Sequence, residues 1–308
     1  MFPDRTTADN LVGAAHAAEI KGRSLWTDAR RRFMRNKAAV AGMIALILIT
    51  LFAFFGDYLA QWSTQEIDWP MMGRVAQDGA PSFANGHYFG VDELGRDLYA
   101  RTVQGTRISL LVGFVGAGIA VIVGTLYGAI AGYFGGRIDG IMMRTVDILM
   151  AIPFMFVLIL MLVIFGRSIL MLFIGIGLIS WLDMSRIARG QTLTLKNKEF
   201  VEAAVATGVR PLKIIMRHIV PNLLGLVTVY ATLLVPSMII TESFISFLGL
   251  GVQEPATSLG ALISAGAGQM QYGVIWQLAF PLFFFVVTLF AFFFVGDGLR
   301  DALDPKDR

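Results

Sequence analysis

Few side chains in this sequence are spaced to do covalent chemistry. The adjacent carboxylates Asp92 and Glu93 sit in a polar loop, with no third group placed to make them a general acid and base. The three histidines, His16, His87 and His218, lie far apart, and cysteine is absent. That removes disulfides, thiolate nucleophiles and Cys-based metal sites together, and no His-rich metal motif is expected. No GxxxxGK[ST], HExxH or GxSxG segment occurs, so the chain has no P-loop for ATP, no zinc-protease helix and no nucleophile elbow. Two other acids stand beside long apolar runs. Asp147 follows Arg144 by three residues, the spacing of a local helical ion pair. Glu242 closes an apolar run, where it either faces a passing solute or rests at a membrane interface. The chain is read as non-catalytic, without a cofactor or metal of its own.

The elements that carry these residues are apolar. Of the 308 residues, 56% are hydrophobic and 15% charged, against about 45–50% and about 25% in soluble proteins. A soluble fold of this length has too little interior for such a load. A formal net charge of +3 is too small for a nucleic-acid surface. Thirty-three glycines and fifteen methionines suit helices packed closely in lipid.

Stretches free of Asp, Glu, Lys and Arg predict six spans: 38–56, 108–136, 148–166, 168–182 running on through 184–188, 219–241 and 274–296. The uncharged but Gly-, Ser- and Gln-rich segment 255–273 is left outside the core. Lysine and arginine then orient the chain. Lys21, Arg23, Arg30, Arg31, Arg32, Arg35 and Lys37 precede the first span, and Arg186, Arg189, Lys196, Lys198, Arg210, Lys213 and Arg217 lie between the fourth and fifth. The loop before the second span is acidic instead, with Asp57, Glu66, Asp68, Asp78, Asp92, Glu93 and Asp97. Both termini are therefore expected in the cytoplasm. The organisation follows: a cytoplasmic segment 1–37, a first span 38–56, a periplasmic loop 57–104, a five-helix core 105–296 with a cytoplasmic loop 186–221, and a cytoplasmic tail 297–308.

The run Arg30-Arg31-Arg32-Phe33-Met34-Arg35 looks like a twin-arginine export signal, but the apolar stretch after it is long and no small-x-small site follows. Leu25, Trp26, Ala29 and Phe33 recur at helical spacing among the arginines, which predicts an amphipathic helix on the inner membrane face. The spans hold almost no ionisable residue and show no two similar halves, which argues against an ion-coupled carrier. In the cytoplasmic loop, Phe200, Val201, Ala204 and the Thr207–Gly208 region share one helical face. Small residues there suit close insertion into another protein's groove, or stand by chance in a short surface helix between spans. Gly208 is placed to end that helix in a left-handed conformation, and Pro211 cannot continue it. A bulky side chain at Gly208 is expected to clash. Glu202 is the only acid between residues 200 and 217, free to bond a partner or to brace the loop through Arg210, Lys213 or Arg217.

Glu202-Ala203-Ala204, Gly208 and Pro221 resemble the EAAxxxG signature of permease subunits of binding-protein-dependent ABC importers. The ending His218-Ile219-Val220-Pro221-Asn222 resembles the HIxPN form of the peptide and nickel branch. Phe89 to Asp97, with Gly90, Asp92, Gly95, Arg96 and Asp97, is similar to the GxDxxGRD element of the same branch. Gly22-Arg23-Ser24-Leu25-Trp26, Ser180-Trp181-Leu182-Asp183-Met184, Glu242 to Gly251 and the tail from Gly296 to Pro305 are similar to C-type permeases of oligopeptide importers.

The resemblance implies an all-α polytopic protein of the type I ABC importer permease fold in a bacterial inner membrane. It implies a second homologous permease, two ABC ATPase subunits that bind ATP and Mg, and a periplasmic peptide-binding protein as partners. Peptide would be the substrate and lipid the surroundings. Glu202, Ala203, Ala204, Gly208, His218 and Pro221 would form or shape the coupling helix that enters an ATPase groove. Gly90 to Asp97 would cap the outer mouth and meet the binding protein, or form a turn with Arg96 paired to Asp92 or Asp97. The resemblance leaves the residues lining the substrate path unassigned, Glu242 being the one candidate. Dipeptide, murein-peptide and nickel importers share both motifs, and a secondary carrier or a structural membrane protein is the reading from another class.

Overall fold

The computed structural model describes residues 25–303, so expectations for 1–24, including His16 and Gly22 to Ser24, and for the tail 304–308 lie outside the described residues, as do the side chains of Leu25 and Trp26. The architecture is all-helical. Among the described residues no strand forms beyond two isolated bridges, Ile67 with Arg96 and Val91 with Asp97.

In chain order the helices are α1 (Leu25–Arg35), α2 (Lys37–Phe55), α3 (Val75–Asp78), α4 (Leu98–Phe134), α5 (Gly136–Ala151), α6 (Phe154–Phe165), α7 (Ile169–Leu195), α8 (Glu199–Ala206), α9 (Pro211–Ile214), α10 (Val220–Phe247), α11 (Leu259–Gln269) and α12 (Trp276–Leu303). A π-helical turn, Ile215–Ile219, joins α9 to α10. Five segments are long and apolar enough to cross a membrane: Lys37–Leu59, Leu98–Phe134, Ile169–Leu195, Pro211–Phe247 and Trp276–Leu303. The expected third span is instead a pair, α5 and α6, bent by 78°. Pro153 causes the break: it lacks an N–H for the helical ladder and drives Ile152 into extended backbone, at φ −84° and ψ 124°.

The bundle has two ends. The loop before α4 gathers at one, with the start of α4, the start of α12 and the end of α10. At the other, the arm end, lie the segment around α8, the start of α2 and the end of α12. α4 begins at Leu98, ten residues earlier than the charge-free stretch suggests. Asp97 caps it by accepting from Ala100 N at 2.8 Å. Arg107 in its early part is paired inside the fold: Nε donates to Ala53 O at 2.7 Å and the same guanidinium pairs with Asp57. α7 starts with Ser168 as its cap and packs along α4, running parallel to it. Gly124, Gly128 and Gly132 make the close approach possible. A Cβ at Gly124 would stand 2.6 Å from Trp181 O and Met184 Cβ, and one at Gly132 2.8 Å from Thr192 Cβ.

Segment 255–273 adds no span, yet it is packed into the bundle. α11 is capped by Ser258 and packs against α4, α10 and α12. Its small residues are what that packing demands: a Cβ at Gly266 would fall 2.5 Å from Gln277 O. The amphipathic α1 is docked on the bundle: its apolar residues Ala29 and Phe33 are buried against Ala39 and Ala302, so the helix packs on α12. Outward residues of α2 and α6, among them Leu48, Phe156 and Val163, are apolar and exposed, as contact with lipid requires. At the arm end Asp147 pairs with Arg186 at 2.6 Å, not with Arg144, and Arg189 grips Asp139 with two hydrogen bonds of 2.5 and 2.6 Å. Both links tie α5 to α7.

Candidate functional site

The arm at residues 199–222 is built as a folded-back corner. Glu199 and Glu202 stand in the first turn of α8, where acids suit the helix dipole. α8 ends in a Schellman motif: Val209 N donates to Ala204 O at 3.1 Å and Gly208 N to Val205 O at 2.9 Å. Gly208 has φ +74°, the left-handed region that only glycine adopts without strain. Pro211 then opens α9 at a position where its missing N–H costs nothing.

Val201 and Ala204 turn inward onto Ile214, Ile215 and Ile219, and onto Met184 and Ala188 of α7. Phe200 does not share their face. It is exposed, near His218 with ring centroids 6.5 Å apart. The outer surface is therefore Phe200, Glu202, Ala203, Val205, Leu212 and Met216. Leu212 is 63% exposed and Met216 57%. Glu202 has no ion pair with Arg210, Lys213 or Arg217, so internal bracing is not its role. A Cβ at Gly208 would meet nothing within 4 Å, so the expected clash does not arise inside the chain. The His218 to Asn222 ending is a joint. Pro221 removes a donor from the ladder just after the π turn, and Asn222 Nδ2 binds His218 O at 2.6 Å.

At the opposite end, the Gly90 to Asp97 element is held from within. Asp92 Oδ1 accepts from Leu94 N and Arg96 N, both at 2.9 Å, while Oδ2 accepts from Arg96 Nε at 2.7 Å. Gly95, at φ +77°, reverses the chain so that Arg96 returns beside Asp92. Arg96 also reaches the α10–α11 connection, donating to Glu254 Oε2 at 2.7 Å. Arg101 meets the same carboxylate, Nη2 to Oε1 at 2.8 Å. Burial pushes the Glu254 carboxyl up, but its bonds to Arg101 and Arg96 outweigh this and hold it below the usual carboxylate range.

Asp97 pairs not with Arg96 but with His87, whose Nδ1 lies 2.9 Å from its Oδ1. His87 Nε2 faces Asp68 Oδ2 at 3.3 Å, and Trp62 stacks on the ring at 4.6 Å. Both ring nitrogens face carboxylates, so both bonds form only with the imidazolium. Burial lowers the His87 pKa, yet Asp97 and Asp68 together raise it above its ordinary value.

Glu242 is not interfacial. It is 0% exposed, at the junction of α4, α10 and α11. Its Oε2 accepts from Ser109 Oγ at 3.1 Å and its Oε1 from Ser246 Oγ at 2.6 Å. Ser246 in turn accepts from Ser258 Oγ, and Ser109 Oγ accepts from Leu259 N, both at 3.2 Å. The carboxylate thus faces the N-terminus of α11, whose dipole favours a negative charge.

Residues 124–308 match the family described as binding-protein-dependent transport system inner membrane component. Residues 24–77 match the N-terminal TM domain of oligopeptide transport permease C. The chain belongs to this permease family. It is 56% identical to the oligopeptide transport system permease protein OppC of Escherichia coli over 308 residues, all of both chains. It is 42% identical to OppC of Bacillus subtilis over 96% of this chain and 95% of that one. It is also 42% identical to the dipeptide transport system permease protein DppC of the same organism, over 99% and 94%. Among solved structures, a chain of the MetNI methionine ABC transporter in inward-facing conformations matches with a TM-score of 0.51 at 18% identity, over 66% of this chain and 95% of that one, which speaks for the fold alone.

The permease fold thus gathers Glu202, Ala203, Ala204, Gly208, His218 and Pro221 at one end and Gly90, Asp92, Gly95, Arg96 and Asp97 at the other. Glu242 lies inside, near the second group. Sequence reading missed Arg101, Glu254, Asp68 and the serines around Glu242. Only Arg101 carried a signal, a charge four residues past Asp97 at the start of an apolar run.

Proposed function

We propose that this permease is one membrane subunit of an ATP-driven importer that carries oligopeptides from the periplasm to the cytoplasm. It works beside a second homologous permease, two ATPase subunits that bind ATP and Mg, and a periplasmic peptide-binding protein. The observation that carries this reading is the end-to-end similarity to OppC proteins. At equal 42% identity, the two Bacillus subtilis relatives leave dipeptides as the second substrate reading.

The arm supports coupling to an ATPase. Its inner face is already used within the chain, while Phe200, Val205, Leu212 and Met216 present an apolar surface beside Glu202. Six crossings are supported by direction. α4 and α7 run parallel, so the chain between them has to return through the bilayer, and α5 with α6 is the return. An even number of crossings leaves both termini on one side, and the cluster of arginines favours the cytoplasm. The arm then faces the cytoplasm, and the loop end the periplasm.

Reporters fused after Gln77 and after Lys196 test the topology, active outside and inside the cytoplasm respectively. Glu202→Arg in reconstituted vesicles tests the coupling. Normal insertion with lost uptake is expected, and wild-type uptake with wild-type ATPase copurification would refute it.

A further inference from the structure

We propose that Arg96 and Arg101 form a carboxylate-binding site at the loop end, that Glu254 fills it as an internal occupant, and that the C-terminal carboxylate of a peptide displaces Glu254. The choice of peptide rests on the importer reading above, whereas the carboxylate site rests on geometry alone. Two guanidinium groups converge on one carboxylate, at 2.7 Å from Arg96 Nη1 and 2.8 Å from Arg101 Nη2. Two planar forks around one carboxylate make a specific receptor for that group. Asp92 fixes the arginines from behind, with its Oδ2 2.7 Å from Arg96 Nε and 3.3 Å from Arg101 Nε. The Arg101 contact is an ion pair without hydrogen-bond geometry.

Burial is unequal across this contact. The arginine side chains are 11% and 4% exposed, and that of Glu254 is 59%. Lifting Glu254 away with nothing in its place would leave two buried guanidinium groups sharing the single Asp92 carboxylate, which is disfavoured. Another carboxylate keeps both arginines paired and sends Glu254 into water that it already half occupies. The exchange thus requires a carboxylate and little else.

A cleft of about 70 Å³ adjoins the arginines. Ala261, Ala265 and Gly266 of α11 line it and leave a slot beside the charges. Such a slot suits a free main-chain end better than a side chain on a folded surface. Every peptide carries this end whatever its sequence, so the site holds varied substrates without reading side chains.

The chain has no cysteine, so Leu94→Cys with Gln253→Cys gives a unique spin-label pair across the contact in full-length protein in lipid nanodiscs. Tetraalanine is expected to lengthen the label distance, and tetraalanine amide to leave it unchanged. Glu254→Gln, at an exposed position, is expected to show the long distance without ligand and to bind tetraalanine at least about tenfold more tightly. Arg101→Gln is expected to remove the response. Equal behaviour of acid and amide, or unchanged affinity in Glu254→Gln, would overturn the proposal. So would a response confined to a docked acidic protein. Absence of peptide uptake by the assembled wild-type transporter would overturn the importer reading instead, and the label distances would still decide the carboxylate site.

Discussion

Gly208 separates two reasons why a residue in the arm would matter. Its φ of +74° penalises side chains through the backbone, yet the space around it within the chain is empty. Placing an ordinary L-residue in the left-handed region costs about 1–2 kcal/mol, and less for Asn or Asp. Gly208→Ala therefore carries the strain with the smallest added bulk. Gly208→Asn and Gly208→Asp carry less strain and more bulk, and Asp adds a charge. If only the backbone mattered, Ala would be the worst of the three. If an ATPase subunit packs against this corner, the order reverses. A side chain forced into a fitted contact costs about 1–3 kcal/mol, or about 5- to 150-fold in association at about 1.4 kcal/mol per factor of ten. All three variants should reach the membrane at wild-type level, because nothing inside the chain is displaced. ATPase copurification and peptide-stimulated hydrolysis in vesicles should fall most in Gly208→Asp and least in Gly208→Ala. Wild-type copurification and uptake in Gly208→Asp would show that nothing docks on this corner.

Three further outcomes follow from packing and charge. Gly128→Ala brings a Cβ into the Ser185 carbonyl and should lower stability by about 1–3 kcal/mol. Gly118→Ala on the same helix meets nothing within 4 Å, so equal melting temperatures in detergent would refute the close approach of α4 and α7. The His87 pKa is raised in the folded protein, so its hold on Asp68 and Asp97 is complete below its ordinary value and is lost as pH rises through the folded value. Protease resistance of residues 60–97 should therefore fall as pH is raised from the ordinary histidine value of 6.5 into the alkaline range. His87→Gln should be flat across that range, and an identical profile in parent and variant would refute the assignment. Glu242→Ala unpairs buried hydroxyls on two helices and should cost about 2–4 kcal/mol, with Glu242→Gln costing about half. Equal thermal stability of both variants with the parent would contradict the buried junction.

The apolar runs were legible because lipid forces a long uninterrupted pattern on a helix. Boundaries were less so where tertiary partners tolerate polar residues inside a helix. Arg101 and Arg107 concealed the first ten residues of α4, since a charge ends a charge-free stretch but not a helix whose charge is paired. α11 was hidden for the opposite reason, because its Gly, Ser and Ala look like a loop until the helices against which they pack are known. Pro153 lies inside the stretch 148–166, and a search for charge-free runs does not register a proline. The arm's Gly208 turn was readable from local chemistry alone. Glu242 was not, because Ser109 lies 133 positions away and no local rule links the two.

α10 connects the two ends and shows where they can move relative to each other. At its root, Leu223 and Val227 are locked among the residues that receive α8, so the first turns follow the arm. At its other end, Glu242, Ser243 and Ser246 bind into α4 and α11, and a Cβ on Gly113 of α4 would come within 2.9 Å of Val235 and Ile239. Two places between α8 and this junction lack a regular ladder. One is the π turn Ile215–Ile219, and the other is Pro236, which has no N–H for the carbonyl one turn earlier. A helix gripped at both ends bends where its ladder is interrupted. A push on α8 is therefore expected to tilt the stretch between residues 220 and 235, with the Glu242 junction holding α11 and the cleft beside Arg96 and Arg101 in place.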